Sequence, residues 1–591
     1  MKKGRKKEMN VHINPWEVDH RAAWLAHYPQ GVPAEIDLSL LTSLPEMLSQ
    51  SCRRYSAQPA FTQQRVSLTY ADLQRLSCDL ASFLQQEGLR PGDRVAIMLP
   101  NLLQYPVAFF GVLCAGLVVV NVNPFCPASE LQQRLVDSGA RGIIVLEGAT
   151  HTLQEIIRTT DLHLVVTTNV GDLLPPLRGC LMSLMAKWIG HGVRNSSLSG
   201  EIRLRTALRR GHNRALEKPE LKPADIALLQ YTSGTTGTPK GVVLTHGNLL
   251  ANVEQISAWL GSVLDAGSEV VVTPLPLYHI FALTANMLTF VRWGGNNVLI
   301  LDPRDSHALL RTLRTTRFTA ISGVDTLFRR LLDAPGFEAA CAANRGVLKL
   351  AVAGGMAVTP EVAQRWLQAT GIALTEGYGL TEAAPVVCVG AVDGRMREGM
   401  IGMPLPSTRV EIRDETGRAL PPGQAGEICV QGPQVMRGYW NLPAQTASVL
   451  DAAGWLRTGD LGKMDALGSF RFLARCAEVI VVSGFKVYPK EVEEVAMQHP
   501  GVRDACAVAV TDARSGEAVK LLVVRHDPTL SAGALIAHCR ARLIAYKVPR
   551  HIEFRTELVH SELGKHRIGP GLVAPKSHRG DAAGDPDERD E

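Results

Sequence analysis

Residues 226–250 read IALLQYTSGTTGTPKGVVLTHGNLL. An unbroken apolar run, IALLQ, enters a loop of small hydroxyls and glycines, and VVLTHGNLL leaves it as a strand running into a helix. A flexible Ser/Thr/Gly linker would not be bracketed by buried-type segments in this way. Glycine lets backbone N–H groups approach phosphate oxygens, hydroxyls add donors, and Lys240 adds a point charge. The loop is not a Walker loop, which needs Gly-x4-Gly-Lys-Ser/Thr; here Pro239 precedes the lysine and Gly241 follows it.

Outward from this loop, apolar runs recur at 141–146, 269–273, 297–301 and 346–355, and residues 88–101 read as turn, short strand and loop. Runs without alternation predict strands buried on both faces, hence layered α/β subdomains. From about Thr408 short alternating strands and Gly/Pro turns predict a small antiparallel β subdomain. Near Ala477 a separate α+β unit of about a hundred residues begins. Its helices are expected at 491–500 and 530–543, and its strands at 505–510, 518–526 and 551–555.

A chain of 591 residues is too long for one ordinary core. Its net charge of +5, from 62 basic and 57 acidic residues, gives no reason to invoke nucleic acid. Eleven cysteines stand singly, with no CxxC pair and no Cys/His metal spacing, as expected of reduced thiols in a cytoplasmic protein. The basic start, MKKGRKKEMN, has no apolar stretch behind it and is not a signal peptide. It reads as a frayed, solvated end, with attraction to an anionic membrane surface as the alternative. Residues 105–122 are barely long enough to span a bilayer and contain Pro106, Gly111 and Gly116, so a buried helix running into a buried strand is expected. Residues 173–194 mix Leu, Met and Trp with Arg and Lys, which fits either a packed helix or an interfacial one touching lipid. The Gly-, Pro- and Asp-rich end is expected to be disordered, and no fixed-period repeat is visible.

The loop 231–241 resembles the signature of the adenylate-forming superfamily of acyl-CoA synthetases, luciferases and peptide-synthetase adenylation domains. The resemblance runs from about Pro29 to Lys565, with motifs in the family's order: LTYADL (68–73), the loop, LPLYHIF (275–281), EGYGLTE (376–382), GEICVQGPQVMRGYW (426–440), WLRTGD (455–460) and VVSGFKVYP (481–489). NLLQYPVA (101–108), FTAISGVDTLF (318–328) and VAMQHPGV (495–502) are most similar to bacterial long-chain fatty-acid–CoA ligases. The resemblance implies a basic extension at 1–28, an AMP-binding domain at 29–473, a mobile C-terminal domain at 474–568 and a disordered tail at 569–591. It implies ATP, Mg²⁺ and coenzyme A as reaction partners and a fatty acid as substrate. A homodimer and peripheral contact with lipid on the inner face of the cytoplasmic membrane stay open.

Residue by residue, the resemblance assigns the nucleotide loop to Tyr231, Thr232, Ser233, Gly234, Thr235, Thr236, Gly237, Thr238, Pro239, Lys240 and Gly241, with Val242 beyond it. Thr235, Thr236 and Lys240 would hold the β- and γ-phosphates. Glu382 is the implied Mg²⁺ ligand, with Thr235 beside it, and Thr381 would contact the α-phosphate. Tyr378 would stack on adenine while Gly354 and Gly355 let the backbone approach that ring. Asp460 would accept the ribose hydroxyls, with Arg475 as the second ribose contact. Lys565 would reach the carboxylate and α-phosphate during adenylation, and Gly484 would face the pantetheine tunnel afterwards. His279 is either a satisfied core histidine or a residue at the boundary of acyl pocket and thiol tunnel.

The chain departs from the family in three places, the least of them NPFCPASEL (123–131), which lacks the tyrosine often found after Asn-Pro. The hinge stretch ALARCAEVIVV keeps Arg475 but has Ala477 where a charged residue is usual, and Ala474, Cys476 and Glu478 surround it. After Lys565 the chain runs HRIGPGLVAP, whose glycines and proline would break the usual helix. Two alternatives follow: a CoA ligase for a medium-chain or aromatic acid, and a non-catalytic acyl- or nucleotide-binding relative. A peptide-synthetase domain is disfavoured, because no Gly-Gly-x-Ser carrier segment follows the small domain.

Overall fold

The computed structural model describes residues 21–39, 41–175, 179, 198, 200–212, 214–232, 239–392, 399–483, 485–512 and 514–558. The chain divides into two compact units: Met1–Thr458 with Lys463–Arg471, and Gly459–Gly462 with Phe472–Glu591. The basic start, most of 173–194 and the tail lie outside the described residues.

Two large sheets build the first unit. Among the described residues one has nine strands and the other eight. In the eight-stranded sheet Val118–Asn121, Arg94–Met98, Ala140–Leu146 and Leu164–Thr168 run parallel, and Ile226–Thr232 joins them parallel to Val118–Asn121. Val118–Asn121 is buried at every position, as its unbroken Val run predicts. The helix ahead of it, Gln104–Cys114, is apolar on all sides and buried almost throughout, so the stretch 105–122 is core. No helix among the described residues is long and apolar enough to cross a membrane.

The nine-stranded sheet carries Val270–Thr273, Asn296–Leu299, Ala320–Gly323, Leu350–Gly354 and Leu374–Gly379 as parallel neighbours. Val386–Val389 then returns antiparallel to Leu374–Gly379. The motif LTYADL has a structural task here. Thr69 and Asp72 form a reciprocal capping box that starts helix Tyr70–Gln86, and the buried Tyr70 hydroxyl donates to the Gly295 carbonyl at 2.8 Å. The antiparallel region after Thr408 begins with Arg409–Arg413 paired to Gly426–Gln431.

In the second unit Val502–Asp512 and Gly516–Arg525 form a long antiparallel pair, and His551–Arg555 adds parallel to the latter. Helices Pro489–Met497 and Ala532–Arg540 contribute Val492, Ala496, Leu535 and Cys539 to its core. Of the altered hinge residues, Ala474 lies in strand Phe470–Arg475, and Cys476, Ala477 and Glu478 form the 3-10 turn Cys476–Glu478.

Glu493 is an acid set into this unit. Its Oε1 accepts from the Ala507 N–H at 2.8 Å, and burial pushes the carboxyl up to about 7, with Glu478 and Asp504 adding repulsion. A folded-state value above the unfolded one means that folding takes up a proton. Stability is therefore lost as pH rises from the usual glutamate range through about 7. Glu493→Gln keeps the acceptor oxygen and removes the charge. It is expected to stabilise the unit by on the order of 2 kcal/mol at pH 8 and little at pH 4. Thermal unfolding of both proteins at the two pH values checks this; a pH-independent difference would refute the assignment.

Candidate active site

The predicted phosphate loop is the connection of a hairpin. Ile226–Thr232 and Lys240–Thr245 pair antiparallel, with Thr232 opposite Lys240 and Tyr231 opposite Gly241. Thr245 then caps helix His246–Leu260, its hydroxyl accepting from the Asn248 N–H while the Asn248 side chain accepts in return. Ser233, Gly234, Thr235, Thr236, Gly237 and Thr238 lie outside the described residues. Tyr231 is buried in the core, and its hydroxyl donates to Asp137 at 2.6 Å. Gly241 shows why a glycine ends the loop. A Cβ there would sit 3.2 Å from the Tyr231 ring and 3.3 Å from the Trp440 side chain.

A short strand, Gly438–Tyr439, lies against this hairpin with Tyr439 opposite Val242. It brings the tyrosine ring under Lys240, whose Nζ is 5.0 Å from the ring centroid. The Tyr439 hydroxyl in turn donates to Glu382 Oε1 at 2.8 Å. Burial, followed by the charge of Glu382, pushes the phenol well above its ordinary range, so it stays a donor. The backbone tightens the same junction, since the Met436 N–H donates to the Glu382 carbonyl at 2.7 Å. The structure thus gathers Lys240 and Glu382 at Tyr439, a residue to which sequence reasoning gave no role. Its position in RGYW, between a glycine and a tryptophan, was the available signal.

Glu382 and Thr381 stand in the 3-10 turn Thr381–Ala383, next to strand Leu374–Gly379, which carries Tyr378. Tyr378 is half-buried and pairs with Cys388. Gly354 lies on the neighbouring strand opposite Gly377, and Gly355 takes a φ of +82° that favours glycine. Phe281, two residues after His279, packs on Gly354: a Cβ at Gly354 would fall 3.0 Å from its ring. His279 itself is partly buried and its Nδ1 accepts from the Phe281 N–H at 3.3 Å. The LPLYHIF segment therefore borders the strand ends that carry Gly354.

Asp460 and Arg475 both belong to the second unit. Asp460 is buried, and its Oδ1 lies 3.0 Å from Arg475 Nε. Gly484 and Lys565 lie outside the described residues.

A carboxylate and a lysine thus meet beside the carboxyl ends of parallel strands, the place where α/β folds commonly bind ligands. A family model for AMP-binding enzymes matches residues 48–440, and one for the AMP-binding enzyme C-terminal domain matches 491–565. The chain belongs to the AMP-binding enzyme family. It is 47% identical over 546 residues to a long-chain-fatty-acid–CoA ligase of Escherichia coli O6:H1 (strain CFT073), covering 92% of this chain and 97% of that one. A feruloyl-CoA synthase of an Amycolatopsis species is 34% identical over 521 residues, covering 87% and 96%. Among solved structures, ATP-bound MatB from Rhodopseudomonas palustris matches with a TM-score of 0.77 at 25% identity, over 89% of this chain and 97% of that one.

Proposed function

We propose that the protein activates a long-chain fatty acid: it forms an acyl-adenylate from ATP and transfers the acyl group to coenzyme A. The observation that carries the reading is the meeting of Lys240 and Glu382 at Tyr439. In the first step the carboxylate oxygen attacks the α-phosphorus and pyrophosphate leaves. In the second the CoA thiolate attacks the acyl carbon and AMP leaves. The first step crowds negative charge, which Lys240 offsets from one side of the phosphates. Thr381 adds a hydroxyl next to Glu382, and Tyr378 offers a face for adenine. Lys565 is proposed to serve adenylation alone, and Asp460 with Arg475 to hold the ribose.

The donor set suits Mg²⁺. No group of three or more His, Cys, Asp or Glu side chains that could hold a metal occurs among the described residues. Mg²⁺ commonly takes one or two carboxylates and completes its shell with phosphate oxygens and water. Glu382, and Thr235 in the loop, are the residues that would hold it; bound with ATP, the ion would neutralise phosphate charge. Tyr439 orients the carboxylate for that task. Tyr439→Phe keeps the ring under Lys240 and deletes one hydrogen bond to a charged group. It is expected to lower pyrophosphate exchange about tenfold and raise the Mg²⁺ concentration needed for half-maximal rate. An unchanged Mg²⁺ dependence would remove Tyr439 from the site.

Long acids are favoured by the extent of identity to the fatty-acid ligase. The feruloyl-CoA synthase relative supports an aromatic acid as the second reading. Eight extra buried methylenes could add roughly 6 kcal/mol of gross binding energy, so the two substrate classes should separate widely. A cytoplasmic location is part of the proposal, supported by the free thiols of the described cysteines. The test is acid-dependent ATP–pyrophosphate exchange, with and without CoA, across fatty acids of increasing length and ferulate. Exchange that peaks with long acids, with thioester when CoA is present, is expected. A peak with ferulate would favour the aromatic reading, and no exchange with any acid would overturn both.

A further inference from the structure

The segment 274–281 leaves strand Val270–Thr273 and reaches the π-helix Ala282–Leu288 without joining either large sheet. Backbone groups in such a segment must find partners elsewhere. Here they find buried side chains from the eight-stranded sheet and from the loop and helix that follow strand Arg94–Met98. The Asn101 amide donates to the carbonyls of Thr273 and Leu275 at 3.1 and 2.9 Å, and its oxygen accepts from the Leu277 N–H at 2.8 Å. The Tyr105 hydroxyl lies 2.8 Å from the Leu277 carbonyl and 2.9 Å from Asn121 Oδ1. Asn121 Nδ2 donates to Gln230 Oε1 at 3.1 Å, and Gln230 Nε2 donates to the Tyr278 carbonyl at 3.1 Å.

Gln230 is the residue before Tyr231, so the strand that feeds the phosphate loop holds the peptide just before His279. At its far end the same segment is tied to the Glu382 turn. The Thr284 hydroxyl, in the π-helix, donates to the Ala384 carbonyl at 2.8 Å, and the Ala384 N–H donates to Thr381. A π-helix carries an extra residue per turn and frequently marks a functional site.

We infer that Gln230 is a positioning residue. It ties the Tyr278–His279 peptide to the strand that leads into Tyr231 and, with His279 at the boundary of the acyl pocket, so sets where the carboxylic acid lies relative to the α-phosphate. The inference rests on the adenylation reading above. Gln230 touches neither nucleotide nor acid in this role; it acts through the Tyr278 peptide. A donor–acceptor amide is needed because its two neighbours, the buried Asn121 amide nitrogen and the Tyr278 carbonyl, are of opposite type.

The experiment measures pyrophosphate exchange for Gln230→Met, of similar length and without hydrogen-bonding groups. The acid is varied at saturating ATP, and ATP is varied at saturating acid. The expected result is a 10- to 100-fold loss of kcat/KM for the acid, with KM for ATP within about twofold of the parent, as small misplacements of a reactant cost rate steeply. ATP binding without acid, followed by titration calorimetry, should be unchanged. Tyr105→Phe, which keeps the ring and drops one hydroxyl, is the second variant and should lose about three- to tenfold in the same direction. The inference is overturned if both variants keep the parent's kcat/KM for the acid, or if acid and ATP parameters fall together with thermal stability. Should the parent itself show no acid-dependent exchange while binding ATP, the adenylation reading fails rather than the positioning role.

Discussion

Glu382→Gln is expected to lower fatty-acid-dependent pyrophosphate exchange by about 10²–10³-fold, or ~3–4 kcal/mol of transition-state stabilisation. The substitution is nearly isosteric. Its amide oxygen still accepts from Tyr439, whose hydroxyl lies 2.8 Å from Glu382 Oε1, and the backbone bond from Met436 is untouched. The fold should therefore survive with a melting temperature within a few degrees of the parent. What disappears is the negative charge that, on the proposed role, holds Mg²⁺ against the phosphates. The loss should be deepest at low Mg²⁺ and partly recovered at high Mg²⁺. Activity within threefold of the parent at all Mg²⁺ concentrations would show that Glu382 is only a turn residue.

Gly379→Ala is expected to damage both stability and rate. Gly379 ends strand Leu374–Gly379, and a Cβ there would sit 2.2 Å from the Pro385 carbonyl oxygen. That neighbour is backbone, so no side-chain rotation relieves the clash. The Leu380 N–H also donates to the Pro385 carbonyl, fixing the two limbs of the turn together. Forcing them apart should cost about 1–3 kcal/mol of stability. The turn between the limbs carries Thr381 and Glu382, so a shift of order 1 Å would cost roughly 10²-fold in rate. Thermal unfolding and exchange kinetics on one preparation check both. Loss of stability with full activity would mean that the turn tolerates displacement, and that Glu382 need not be placed tightly.

Much of the fold was legible in the residues. The strands expected at 141–146, 269–273 and 551–555 appear at Ala140–Leu146, Val270–Thr273 and His551–Arg555. Apolar runs bounded by turn residues are a local signal, and local signals survive without tertiary context. The helix expected at 491–500 begins at Pro489, whose fixed φ suits the first turn, and ends at Met497. Its end fell short of the expected bound because boundaries depend on how the last turn is satisfied, which the next strand decides.

The site was legible only in part. Lys240 and Glu382 could be singled out because each sits in a short motif of distinctive composition. Tyr439 could not, because its task depends on a two-residue strand that pairs with Val242 from far along the chain. Gln230 reads in sequence as the polar end of an apolar run. Its bond to Asn121 arises because the two residues are partners on paired strands of the eight-stranded sheet, and its bond to Tyr278 exists only when the 274–281 segment packs on that sheet. Gly379 had no assigned role and Gly241 only a place in the nucleotide loop, and why each must be glycine appears only as backbone and ring atoms crowd the missing Cβ.

The sequence by itself determined the elements, their order, the two-domain plan and the family's chemistry, since these rest on periodicity and on contiguous motifs. Tertiary structure decided which distant residues meet: Tyr439 between Lys240 and Glu382, and the Gln230 amide of the eight-stranded sheet at the Tyr278 carbonyl. The physical reason is that hydrogen bonds and close approaches depend on distances of a few ångström between segments far apart in the chain, 48 residues for Gln230 and Tyr278 and 57 for Glu382 and Tyr439, and only packing sets those distances.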